Sequence, residues 1–212
     1  MLLGPSPDRP YPLDELQRVG FLKPLITKPN IFVGDYTYYD DPQGPERFET
    51  ENVLYHFAEV GDKLIIGKFC ALAHGVKFIM NGANHQLNGF STYPFFIFGN
   101  GWEYATPAAD EYTSKGDTIL ENDVWLGYEA LVMPGVNVGN GAIVASRAVV
   151  TRDVPAYTIV AGNPARVVKQ RFADEVIAEL QQIQWWDWSA DKISRHLRSI
   201  TSADLSALRG AR

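Results

Sequence analysis

At 212 residues, 46% of them hydrophobic and with a net charge of −6, the chain can bury a full core of one or two domains, and its charge argues against nucleic acid or an anionic membrane as main partner. A single cysteine, Cys70, excludes an internal disulfide and suits a reducing compartment. Met1 to Pro12 lacks the apolar core of a signal peptide and no run approaches a membrane span, so the expectation is a soluble, cytoplasmic protein.

In chain order, Val33-Gly34-Asp35-Tyr36-Thr37 reads as a first hexapeptide with Thr37 at a small position. An insertion from Tyr38 to Asn52 holds prolines, glycine and charges. A period of six then sets in: Leu54, Val60, Ile66, Leu72 and Phe78, resuming at Leu120, Leu126, Val132, Val138, Val144 and Val150. Four places after these stand Ala58, Leu64, Cys70, Val76 and Gly82, then Val124, Ala130, Val136, Ala142 and Ala148. Gly61, Gly67, Gly127 and Gly139 follow directly on the large residue, where they are expected to serve the conformations of a corner.

Period six matches neither a helix at 3.6 nor a strand at 2. A coil with three six-residue sides explains it: one large residue per side points inward, a small one sits at the turn, and coils stack at about 4.8 Å. The fold class is therefore an all-β solenoid. Spacing does not set its handedness.

Between Phe78 and Leu120 the small positions would hold Asn88, Pro94, Asn100 and Tyr112, so the chain is expected to leave the coil over about 83–113. The loop carries Phe90, Tyr93, Phe95, Phe96, Phe98, Trp102 and Tyr104, which points to packing against a neighbouring subunit. After Val150 the step shortens to Val154, then Val160. From Ala165 the pattern becomes helical, with Phe172, Val176, Leu180 and Ile183 on one face. Trp185, Trp186 and Trp188 are expected to cap the open solenoid end. The division is a β-helix domain over 1–164 and a C-terminal helical segment over 165–212.

His85 stands at the start of the long loop, where an imidazole can reach past the coil and take a proton near neutral pH. His56 and His74 are 18 residues apart, one coil period, which would stack them on one outward face; with a third ligand they could bind zinc. His196 reads as a surface residue of the tail. Cys70 occupies a small inward position and reads as structural. Gly162-Asn163-Pro164-Ala165-Arg166, running on to Lys169 and Arg171, makes a basic turn fit for the phosphates of CoA or for solvated helix-start charge.

Met80-Asn81-Gly82-Ala83-Asn84-His85, Ser91-Thr92-Tyr93-Pro94-Phe95 and Trp185-Trp186-Asp187-Trp188, together with Gly162-Asn163-Pro164-Ala165 and the repeats, resemble the xenobiotic acetyltransferases of the hexapeptide-repeat type, most closely those acting on virginiamycin. The resemblance covers about residues 20 to 190. It implies a left-handed parallel β-helix, a homotrimer with active sites between subunits, acetyl-CoA as co-substrate and no metal. It also implies His85 as general base, with direct transfer and no acyl-enzyme.

By the same resemblance Tyr38, Trp125, Trp102 and the wall around Phe57 line the acceptor pocket, while CoA runs toward Ser146, Asn163 and Lys169. The family usually has tyrosine at the place of Phe57, and Ala71-Leu72-Ala73-His74 departs from its pattern. The leading expectation is O-acetylation of a group A streptogramin, conferring resistance. The alternatives are a chloramphenicol acetyltransferase of the same fold, a γ-carbonic-anhydrase-like zinc enzyme, and an inert trimeric scaffold.

Overall fold

A computed structural model of the chain describes residues 4–13, 15–108 and 113–211. The strands in chain order are β1 (Val19–Phe21), β2 (Ile31–Val33), β3 (Tyr38–Asp40), β4 (Val53–Leu54), β5 (Leu64–Ile66), β6 (Ala71–Leu72), β7 (Lys77–Ile79), β8 (Thr118–Leu120), β9 (Trp125–Leu126), β10 (Leu131–Val132), β11 (Asn137–Val138), β12 (Ile143–Val144), β13 (Val149–Val150), β14 (Thr158–Ala161) and β15 (Arg166–Gln170). They form three sheets that the chain visits in rotation. Face 1 holds β2, β5, β8 and β11; face 2 holds β3, β6, β9, β12 and β14; face 3 holds β4, β7, β10 and β13. Within each face these strands pair in parallel, while β1 and β15 close the two ends of face 2 as antiparallel edges.

The core is the interior of this three-sided coil. Ile66, Leu72, Phe78, Leu120, Leu126, Val132, Val138, Val144 and Val150 all point inward and are buried, and Cys70, Val76, Val124, Ala130, Val136, Ala142 and Ala148 are buried at the small positions. Thr37 takes the same place in the first coil, its hydroxyl donating to the Gly67 carbonyl at 2.6 Å and accepting from the Cys70 N–H at 3.0 Å.

Corners turn through residues with positive φ, two places before most strands: Tyr36, Phe69 and Asp123 before face 2, Gly75, Glu129 and Arg147 before face 3, and Gly135 before β11. The glycines expected at corners serve another need. Gly67, Gly127 and Gly139 do not have positive φ; a Cβ on them would come within 2.6–2.7 Å of the backbone of the next coil. Close approach, not the left-handed conformation, requires them. Gly61 is the exception, with φ of +78°.

Four expectations give way. The register does not begin at Leu54: Val53 points inward, and Val60 lies in a 3₁₀ turn, Ala58–Val60, outside the ladder. Val53 pairs with Phe78 and Leu54 with Ile79, so that coil is longer than the regular one. His56 and His74 therefore do not stack. His56 follows β4 at the corner between faces 3 and 1, and His74 follows β6 at the corner between faces 2 and 3.

The segment after Ala165 is not helical at once. Arg166–Gln170 is β15, where the paired β-branched Val167 and Val168 suit a strand. Helix α1 spans Asp174–Ile183, followed by α2 (Ala190–Thr201) and α3 (Leu205–Gly210).

The tryptophan segment does not cap an end. From β15 the chain runs back down the corner between faces 1 and 2: Phe172 meets Tyr157 (5.9 Å between ring centroids), Gln181 accepts from Asn140 (3.0 Å), Trp185 meets Phe69 (5.0 Å), and Lys68 pairs with Asp187 (2.8 Å). With Trp186 buried beneath it, this segment braces one edge of the solenoid.

Both excursions that matter for the site leave at the corner between faces 3 and 1: residues 55–63 between β4 and β5, and 80–117 between β7 and β8. Residues 109–112 of the expected long loop lie outside the described residues.

Candidate active site

His85 is exposed two residues beyond the short turn Asn81–Ala83. Its Nδ1 lies 2.7 Å from the carbonyl oxygen of Thr92. A carbonyl only accepts, so Nδ1 carries a hydrogen, and in the neutral ring the lone pair then lies on Nε2. Among the described residues none hydrogen-bonds Nε2. Beside the ring opens a cavity of about 350 Å³ lined by Ala83, Asn84, His85, Leu87, Thr92, Thr113 and Lys115.

The loop beyond Thr92 holds its own aromatic cluster. Tyr93 stacks on Phe98 at 5.1 Å and meets Phe95 edge-on at 4.8 Å, and Phe95 meets Trp102 at 5.3 Å. All four rings remain substantially exposed. Trp102 thus belongs to the His85 side. So does Phe57, whose ring lies against Gly82, a Cβ there being only 2.5 Å from it.

The foot of the loop is tied by buried polar groups. Asp62 Oδ2 accepts from both the backbone N–H and the side-chain Nδ2 of Asn81, each at 2.8 Å. Asn81 Nδ2 also donates to the Gly116 carbonyl (2.8 Å), and its Oδ1 accepts from the Lys115 N–H (2.8 Å) and Asn84 Nδ2 (3.1 Å). His56 is buried behind Asp62, its Nε2 lying 2.9 Å from both the Asp62 carbonyl and Asn30 Nδ2. Asp62 and Lys115 escaped the sequence reading because nothing in the period marks them, and Asn81 and Asn84 stood in the quoted motif without a role.

A second candidate surface lies on face 2. Tyr38 pairs with Ala71, Ala71 with Trp125, Trp125 with Ile143, and Ile143 with Ile159. Their chain neighbours Tyr39, Leu72, Leu126, Val144 and Val160 point inward, so these five form one outward row. Ala71 leaves a trough between the two exposed rings. Burial, then the Asp40 carboxylate, push the Tyr38 phenol up, so at neutral pH it is an O–H donor.

Lys169 pairs with Ile159 and extends the row at the edge strand. Ser146 and Asn163 are exposed where face 2 turns toward face 3. Arg171 does not join them: its Nη1 donates to the Gly141 carbonyl at 2.6 Å and lies 3.7 Å from Asp123 at the opposite corner.

The structure thus gathers His85, Phe57 and Trp102 at one corner, and Tyr38, Trp125, Ser146, Asn163 and Lys169 along face 2. In a three-sided coil the corner between faces 3 and 1 stands opposite face 2. The other candidates fall elsewhere. His74 Nδ1 lies 3.0 Å from Asp41 Oδ2 and its ring packs at 5.7 Å against Tyr128; placed at a different corner from His56, it leaves the zinc reading without its ligand pair. His196 packs edge-on against Trp188 at 5.6 Å. Cys70 is fully buried, and burial pushes its thiol up to about 12.

No protein-family model matches the chain. It is 46% identical over 209 residues to a virginiamycin A acetyltransferase of Staphylococcus aureus, covering 99% of this chain and 94% of that one. It is 51% identical to a probable macrolide acetyltransferase of Lysinibacillus sphaericus, over 77% of this chain and 90% of the other. A chloramphenicol acetyltransferase of Agrobacterium fabrum is 41% identical, over 86% and 88%.

Proposed function

Since the chain belongs to the xenobiotic acetyltransferases of the hexapeptide-repeat type, an acetyl-CoA-dependent family, we propose that it acetylates a hydroxyl of a hydrophobic antibiotic, a group A streptogramin first, and confers resistance to it in the cytoplasm. The observation that carries the chemistry is the hydrogen bond from His85 Nδ1 to the Thr92 carbonyl. Of the two neutral tautomers it selects the one with the lone pair on Nε2. That nitrogen takes the proton of the acceptor hydroxyl while the oxygen attacks the thioester carbonyl. The C–S bond then breaks, the thiolate takes the proton back, and CoA leaves as the thiol, with no acyl-enzyme.

His85 and the Tyr38–Trp125 row stand on opposite sides of a coil whose six-residue sides are each roughly 20 Å long. One acceptor reaches both only where the corner of one copy meets face 2 of another. This supports a homotrimer of left-handed coils in which the aromatic loop covers the neighbour, with Tyr38, Trp125, Phe57 and Trp102 around the acceptor and Ser146, Asn163 and Lys169 along CoA. No metal takes part.

A broad aromatic row suits a large apolar macrocycle, and the 46% identity to the virginiamycin enzyme spans nearly the whole chain. Chloramphenicol is the second reading, favoured by the relative at 41%. Thiol release from acetyl-CoA, measured with virginiamycin M, chloramphenicol and a macrolide, separates them. The proposal expects the highest kcat/KM with virginiamycin M; a clear preference for chloramphenicol overturns the choice of a streptogramin.

A further inference from the structure

We infer that Asp62, acting through Asn81, is the positioning residue of His85: a buried carboxylate that fixes the base without touching substrate. The inference rests on the reading of His85 as general base.

The long loop has two feet, at 80–84 and 113–117, and one side chain clasps both. Asn81 Nδ2 holds the returning foot at the Gly116 carbonyl, and Asn81 Oδ1 holds it at the Lys115 N–H while also accepting from Asn84. Asn84, next to His85, reaches the returning foot again at the Thr113 carbonyl, 2.8 Å away. An amide making three such bonds needs its own orientation fixed, and Asp62 supplies this. Its Oδ2 takes both the backbone N–H and Nδ2 of Asn81, so the side chain cannot flip without placing its oxygen against a carboxylate.

Asp62 comes from a different excursion, 55–63, and is itself 3% exposed. Its other oxygen lies 3.8 Å from His56 Nε2 and has no hydrogen-bond partner among the described residues. A buried carboxylate is costly unless its hydrogen bonds repay it; here they all go to the foot of the His85 loop. The path Asp62–Asn81–Asn84 thus runs from the solenoid to the residue beside the base.

The test compares Asp62→Ala, Asp62→Asn and Asn84→Ala in the full-length enzyme with virginiamycin M as acceptor. In Asp62→Asn the amide oxygen can still accept both Asn81 bonds. A misplacement of the base by about an ångström costs on the order of 10²-fold in rate. Asp62→Ala should therefore lose about that in kcat, with KM for acetyl-CoA within about twofold, and Asp62→Asn should recover most of the loss. Asn84→Ala, at a partly exposed site that tolerates truncation, should lose on the order of tenfold.

In a His85→Ala background Asp62→Ala should cost nothing further, because there is no base left to place. A folded Asp62→Ala enzyme with near-normal kcat, an Asp62→Asn no better than Asp62→Ala, or an added loss on top of His85→Ala overturns the inference. Should Asp62→Ala fail to fold, Asn84→Ala decides it: normal kcat there is equally fatal. If His85→Ala itself retains turnover, it is the general-base reading that fails.

Discussion

Replacing Gly67 by alanine probes how tightly the coils stack. The new Cβ would stand 2.7 Å from the backbone carbon and oxygen of Glu121 and 2.8 Å from Asn122 Oδ1. Ordinary carbon contacts begin near 3.5 Å, so the coils must part by roughly 0.7 Å. Two bonds flank the spot, Gly67 N–H to the Leu120 carbonyl at 2.8 Å and Lys68 N–H to Asn122 Oδ1 at 2.9 Å. Stretched by that amount they leave hydrogen-bond range, at about 1 kcal/mol each. The stiffer unfolded chain of alanine returns about 0.4–1 kcal/mol. The net expectation is a destabilisation of about 1–2 kcal/mol.

The control is Gly89→Ala in the loop, where the nearest atom would be 3.4 Å away and φ is not positive; it should be neutral or gain a few tenths of a kcal/mol. Urea unfolding followed by tryptophan fluorescence at fixed protein concentration measures both. If Gly67→Ala unfolds at the same urea concentration as Gly89→Ala, close coil approach is not what these glycines provide.

Asp123 gives a pH signature. Desolvation by burial, partly opposed by Arg171, raises its carboxyl to about 6, so the folded state keeps a proton that the unfolded chain releases near pH 4. The contribution of Asp123 to stability should therefore fall as pH rises from about 4 to 6, a fall that Asp123→Asn lacks; the stability of Asp123→Asn relative to wild type should rise by about 2 kcal/mol between pH 4 and pH 7. Thermal unfolding at pH 4, 5, 6 and 7 reads it, and a constant gap contradicts it. Cys70, buried with its thiol pushed up to about 12, should not react with a thiol reagent until the protein unfolds; fast labelling of the native enzyme would refute its inward placement.

The stretches Ile66–Phe78 and Leu120–Val150 were legible because each turn of the coil puts one large residue inside, which writes a period of six into the sequence. The same rule misled at Leu54, which lies in β4 beside the inward Val53, and at Val60, where an insertion preserves the spacing while its chain leaves the ladder. Val167 and Val168 fell in the segment expected to be helical from Ala165, yet they belong to β15, which pairs with β14. Trp185 and Trp186 announced aromatic packing without saying which surface receives them. The place of His85 on a chain leaving the coil was legible from the broken register. Asp62 and Asn81 were not, since a long-range hydrogen bond leaves no periodic trace. Nor does spacing reveal that the base and the Tyr38–Trp125 row face away from each other.

That separation makes the central claim testable by mixing subunits. A His85→Ala chain and a Tyr38→Ala/Trp125→Ala chain, each nearly inactive alone, are co-expressed under different tags, and the mixed oligomer is purified through both. If each site joins His85 of one copy to face 2 of another, the mixture regains thiol release from acetyl-CoA with virginiamycin M, up to about a third of the wild-type rate, because each mixed trimeric ring holds one intact site of three. If one chain supplies the whole site, no mixed oligomer is more active than its parents, and a site shared between copies is contradicted.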